Sequence, residues 1–189
     1  MARRAPTLAR AAALAATLVA MAPAAPAAAE PLPAGRVSAV LGGRTGTGSL
    51  YSSIGAGVAW GFEAAYAPLR APQTIGVGVT WSMLWSYYWG DSAPVSDAMR
   101  MVELDLGARV RMMLGTHRRT VLFVGGGPTL IRTNDPLFAD GGRSDLGPWG
   151  AVGVETGRFG EVVTASLRYA VIRDGQGTVG LMLSVGAGR

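Results

Sequence analysis

From Ile75 to Trp89 the odd positions read Ile75, Val77, Val79, Trp81, Met83, Trp85, Tyr87 and Trp89. The even positions between them are mostly Gly, Ser or Thr, with Leu84 and Tyr88 as the large exceptions. The alternation recurs upstream, where Ile54, Val58, Trp60, Phe62 and Tyr66 alternate with Gly55, Gly57, Ala59, Gly61 and Glu63. It recurs downstream in 102–112, 163–171 and 179–188. Successive side chains of a strand point to opposite faces, so a period of two predicts strand. Val77, Thr80, Trp81, Leu84, Trp85 and Tyr88 also share one helix face. Gly76 and Gly78 among aromatic and β-branched neighbours decide for strand.

Eight strands follow, near 35–45, 53–67, 73–90, 98–115, 119–132, 146–158, 161–173 and 177–188. Gly125, Gly126 and Gly127 blur the faces of the fifth, and Pro128 lacks a ladder donor, so a bulge or bend is expected there. The first, third and fifth connections are long ("RTGTGSLYSS", "WGDSAPVSD", "RTNDPLFADGGRSDLG"), and the second, fourth and sixth are short ("APLRAP", "GTHRR", "GRFGE"). The seventh, "RDGQG", is short on the long side. Such alternation predicts an all-β, eight-stranded antiparallel up-and-down barrel with both termini at the short-turn end.

Which face looks outward is decided by bulk and charge. A soluble lipocalin-like barrel would put the apolar rows inside, yet eight strands leave room only for side chains or one small ligand. Trp60, Phe62, Trp81, Trp85 and Tyr87 with the aliphatic rows exceed that space. The opposite face would then meet water while being Gly, Ala, Ser and Thr, where a soluble surface should be rich in charge. Inverting the faces puts the bulky rows against lipid, and closure satisfies the backbone in hydrocarbon. Residues 75–89 would span about 50 Å at about 3.4 Å each. Even tilted, that exceeds an apolar band of about 25 Å. Trp85, Tyr87, Tyr88 and Trp89 at the projecting end are therefore expected to form an interfacial aromatic girdle.

Residues 1–29 change the charge balance. Arg3, Arg4 and Arg10 lead an uncharged apolar run, Ala11–Ala22, followed by "PAAPAAAE". That is the order of a secretory signal, with cleavage expected after Ala29. The run is shorter than the roughly 20 residues of a spanning helix, which disfavours a retained anchor. Its removal leaves 30–189 as one domain, with 14 basic residues against 12 acidic ones. The apparent net charge of +5 thus falls to +2, and the case for nucleic-acid binding loses its support. Charged residues are only 15% of the chain, against about 25% in ordinary soluble domains. Cysteine is absent, so disulfide and thiolate chemistry are excluded.

Over 35–189 the pattern resembles the small eight-stranded outer-membrane barrels of Gram-negative bacteria, the OmpA/OmpX-like class, with "LFVGGGPTL" among its glycine-rich runs. The resemblance implies a cell outer membrane location after export to the periplasm and leader removal. It implies contact with outer-membrane lipids, including lipopolysaccharide, and insertion by the outer-membrane assembly machinery. Members usually end on an aromatic residue, commonly Phe, whereas this chain ends "SVGAGR" with Arg189.

The inward rows bring Glu63, Glu103, Asp105, Arg109, Arg111, Glu155 and Arg168 into one lumen. Charges at membrane depth must be paired. A structural salt-bridge plug is the expectation, and a gated polar path, a proton site or a catalytic carboxylate pair are the alternatives. His117, the single histidine, falls in a short turn, at the end opposite the outer leaflet where lipid A lies, so catalysis on lipid A is not expected of it. "GGGPTL" lacks the lysine of a phosphate loop. Asp135, Asp140 and Asp145 lack the spacing of a calcium loop. Arg44, Arg132, Arg143 and Arg173 near the long-loop end are candidates for lipopolysaccharide phosphates. The expected role is structural, anchoring or surface-contacting, without catalysis, cofactor or metal; a narrow pore, a soluble ligand-binding barrel and a lipid A-modifying enzyme are the rivals.

Overall fold

The computed structural model describes residues 32–48, 55–69, 74–89, 99–114, 119–134, 142–158, 160–173 and 176–188. The strands are β1 (Gly35–Thr47), β2 (Ala56–Tyr66), β3 (Ile75–Tyr88), β4 (Met99–Met113), β5 (Thr120–Asn134), β6 (Arg143–Arg158), β7 (Glu161–Arg173) and β8 (Gln176–Gly188). Each pairs antiparallel with its neighbours in sequence, and β1 pairs with β8, so the barrel closes. The leader, His117, Asp135 and Asp140 lie outside the described residues.

The pleat assigns the faces as the alternation predicts. Val79 is 60% exposed and Thr80 2%; Leu183 is 42% exposed and Ser184 6%. The outer wall carries Val37, Leu41, Trp60, Phe62, Trp81, Leu106, Val124, Leu146, Leu167 and Val185, all exposed. Small inward residues let the wall curve tightly: a Cβ on Gly61 would come within 2.0 Å of the Met83 carbonyl oxygen. Inside, apolar clusters occupy both ends. Leu32, Val121 and Val162 sit at the short-turn end, and Tyr88, Met99, Met101, Ile131, Trp149 and Ile172 at the other.

Pro128 produces no bulge. The β4–β5 register is the same on both sides of it, from Asp105↔Thr129 to Ala108↔Gly126, but the two intervening pairs are missing from the ladder. The cause is local: with no N–H on Pro128, the carbonyl of Leu106 opposite it has no backbone donor. The indole Nε1–H of Trp149 reaches across from β6 and donates to that carbonyl at 3.2 Å. Glycines make the room, since a Cβ on Gly107 would stand 2.8 Å from the Trp149 ring. Pro148 faces Pro128 on β6 and lies just beyond the last β6–β7 pair, Trp149↔Ala170. Among the described strands, a register shift falls between Val171 and Arg173 of β7.

Trp149→Phe keeps the ring and removes the donor, leaving the Leu106 carbonyl unsatisfied. The unfolding free energy of the detergent-folded barrel should fall by about 1–3 kcal/mol. In a Pro128→Ala background, which restores the backbone N–H, the same change should cost much less. Equal losses in both backgrounds would show that the indole is not covering for the proline.

Candidate functional site

Two groups of charged side chains fill the lumen, and each arises from the inward row of several strands. In the group nearer the short-turn end, Arg36 of β1 bonds both Glu63 of β2 and Glu155 of β6. Arg109 of β4 donates to Glu63 at 2.8 Å and also bonds Glu155. Arg111 Nε lies 2.9 Å from the other Glu155 oxygen, and its Nη1 donates to the carbonyls of Pro33 and Ala67, each at 2.9 Å. The Arg109 guanidinium also lies over the Phe123 ring, 3.6 Å from its centroid, a cation–π contact.

The second group lies toward the long-loop end. Arg44 of β1 bonds Glu103, and it donates to Ser86 Oγ at 3.1 Å and Thr178 Oγ1 at 2.6 Å. Arg168 of β7 lies 3.3 Å from Glu103 and pairs with Asp105, which also accepts from the Ser82 hydroxyl. The Arg168 guanidinium stacks 4.5 Å from the Trp149 ring centroid. Glu103, Asp105, Arg109, Arg111, Glu155 and Arg168 are all buried. Glu63 keeps some exposure, at 20% of its side chain.

Charge counting separates the groups. Arg44 and Arg168 balance Glu103 and Asp105, whereas Arg36, Arg109 and Arg111 face only Glu63 and Glu155. The extra cation is tolerable because Arg111 is also satisfied by two backbone carbonyls. Ser82 donates to Asp105, which in turn is held by Arg168.

Arg36 and Arg44 complete both groups, and both depart from the sequence reading. Arg36 was not among the candidates, and Arg44 was placed at the rim for lipid phosphates; it is 3% exposed, inside the barrel. Their signal was present: Arg36, Ser38, Val40, Gly42 and Arg44 alternate with Val37, Ala39, Leu41 and Gly43, which puts both arginines inward. Tyr88 is a second correction. As an even member of β3 it points into the lumen, fully buried against Met99 and Met101, and is not part of an outer girdle. Trp85, Tyr87 and Trp89 face outward. Trp85 meets Phe62 edge-on at 6.3 Å, and Tyr87 meets Trp89 at 5.4 Å. Arg143 pairs with Asp145 at 2.9 Å, and Arg132 is exposed.

No protein-family model matches the sequence, and a search of curated proteins finds no match. Solved structures do match in shape. Neisserial surface protein A aligns with a TM-score of 0.59 at 18% identity, covering 85% of this chain and 100% of that one. Ail, the attachment invasion locus protein of Yersinia pestis, aligns at 0.52 and 16%, covering 81% and 97%. The outer membrane enzyme PagL aligns at 0.50 and 10%, covering 82% and 99%. At these identities the likeness is one of fold. That fold is the small eight-stranded outer-membrane β-barrel. Because one similar barrel is an enzyme, the fold alone does not decide catalysis.

Removing one partner from a buried ion network leaves an uncompensated charge and costs about 3–5 kcal/mol. Arg168→Ala should lower the unfolding free energy by that amount. Arg143→Ala, at a partly exposed pair, should cost about 1 kcal/mol or less. Denaturant unfolding in detergent micelles compares the two; similar small effects would remove the lumen network from the account of stability.

Proposed function

We propose that the protein is an integral outer-membrane barrel with a sealed lumen, serving as an anchor or surface contact and neither as a pore nor as an enzyme. The observation that carries this reading is the packing of the lumen. Two guanidinium–carboxylate groups cross it at different heights, and apolar clusters stand beyond them at each end. An ion would have to break paired charges in a low-dielectric space, which is costly. The outward apolar belt, the closed ladder and the likeness to outer-membrane barrels support the location. On this reading the chain is exported, loses residues 1–29, and is inserted by the outer-membrane assembly machinery. Its partners are the surrounding lipids, lipopolysaccharide among them, and whatever the long loops meet at the cell surface.

The pore rival has a direct test. Purified protein in planar bilayers should give no reproducible conductance steps, and stable ion-conducting steps of uniform size would overturn the sealed-lumen reading. Processing is tested separately. Protein recovered from the outer-membrane fraction should begin at Glu30, and a chain still carrying Arg3 and Arg4 would contradict export with cleavage.

A further inference from the structure

Every lumen arginine described above has a carboxylate partner. Two arginines on the outer wall do not. Arg100 of β4 and Arg132 of β5 are exposed on the outward rows of adjacent strands. They are one diagonal step apart, since Val102 faces Arg132 and Arg100 faces Asn134. Side chains so placed are within reach of one another. Among the described residues neither makes an ion pair or a side-chain hydrogen bond. They are also the only charged residues on the outward rows of these two strands.

Their height is set by the belt below them. On the outward row of β4 the residues from Val102 to Met112 are all apolar. Ten steps of about 3.4 Å, tilted about 40°, span about 26 Å, which matches an apolar band of about 25 Å. Arg100 therefore falls at the headgroup level of the leaflet on the long-loop side, the outer leaflet of an outer-membrane barrel. Directly beneath the pair lies a leucine row, Leu104, Leu130 and Leu146, and below that row the side chains become small. Ala108, Gly126, Pro128, Pro148 and Gly150 follow one another across β4, β5 and β6. A Cβ added at Gly150 would meet nothing closer than 3.8 Å, whereas one at Gly126 would stand 2.9 Å from the Trp149 carbonyl oxygen, so the small residue is forced at Gly126 and is free at Gly150. Trp60, Phe62, Trp81 and Trp85 stand out from the wall on β2 and β3, and Tyr169 of β7 borders the patch beside Gly150.

We propose that Arg100 and Arg132 form a binding site for the phosphate of a lipid in the leaflet at the long-loop end, with its acyl chains lying over the leucine row and the small residues of the β4–β6 wall. Guanidinium groups suit this ligand because their planar donors match phosphate oxygens bidentately. A free anion would gain only the charge contact; a lipid also gains the wall. The site rests on the outer-membrane reading above.

The test uses the mature barrel in detergent, with diphosphoryl lipid A and the same lipid stripped of phosphate as probes, read by native mass spectrometry. The native protein should hold diphosphoryl lipid A at least ~10-fold more tightly than Arg100→Gln/Arg132→Gln, as expected for loss of charge-assisted bonds. Arg100→Lys/Arg132→Lys should recover part of that affinity, and the dephosphorylated lipid should not distinguish the variants. Each single glutamine variant should lose ~3-fold, which keeps the test readable if the double variant fails to fold. Equal binding by native and glutamine proteins overturns the site. Displacement of lipid A by millimolar inorganic phosphate also overturns it, because the site would then be reading a free anion. A barrel that stays out of bilayer vesicles defeats the membrane reading itself, whereas one that inserts but ignores the arginines defeats this site alone.

Discussion

The pairing of β1 with β8 is the contact on which the rest depends. It leaves none of the eight strands with an open edge, so the backbone of the belt satisfies itself within the barrel. It also fixes the circumference at eight strands, and with it a lumen only wide enough for side chains. Small residues then become necessary on the inward rows, and any large polar side chain there is forced against another. Charge pairing in the lumen follows from closure. The gap in the β4–β5 ladder shows the same rule from the other side: where Pro128 withholds a donor, an indole from the neighbouring strand supplies it.

Within that narrow space the two ion groups do different work. The group nearer the long loops is balanced and tied to Ser82, Ser86, Thr178 and Trp149. The other carries one more arginine than it has carboxylates, and hands the surplus donors to carbonyls at the short-turn mouth. Both link strands far apart in sequence; the Arg36–Glu155 contact spans 119 residues. They therefore cross-brace the barrel where hydrogen-bonded ladders join only neighbours. This bracing is specific as well as stabilising, since a one-residue slip of β1, β2, β4, β6 or β7 would turn its lumen charges outward into lipid.

Strand number, order and facing were legible because each wall residue meets a uniform environment on its own side, and alternation records it directly. Strand ends agree with the alternation to within three residues. Side-chain partners were less legible. Glu63 could be assigned to the lumen from its row, but its bond to Arg36 depends on shear and tilt, which no local pattern encodes. Arg44 was misjudged because nearness to a long loop was given more weight than parity. Tyr88 was misjudged because an aromatic near the interface was grouped with its neighbours although it falls on the opposite row. A bulge or bend was expected at Pro128; the register runs on unchanged, so there is no bulge, and a reachable indole covers the missing donor.

The central claim is that the bulky rows face lipid and the small rows face a packed lumen. The absence of cysteine allows it to be tested with single labelled sites. Val79→Cys and Leu183→Cys sit beside Thr80→Cys and Ser184→Cys, at nearly equal depth but on opposite faces. In protein reconstituted into vesicles, fluorophores at the first two should be strongly quenched by a quencher attached to lipid acyl chains, and those at the second two only weakly. Quenching confined to Thr80 and Ser184, or absent at all four sites, would contradict the account.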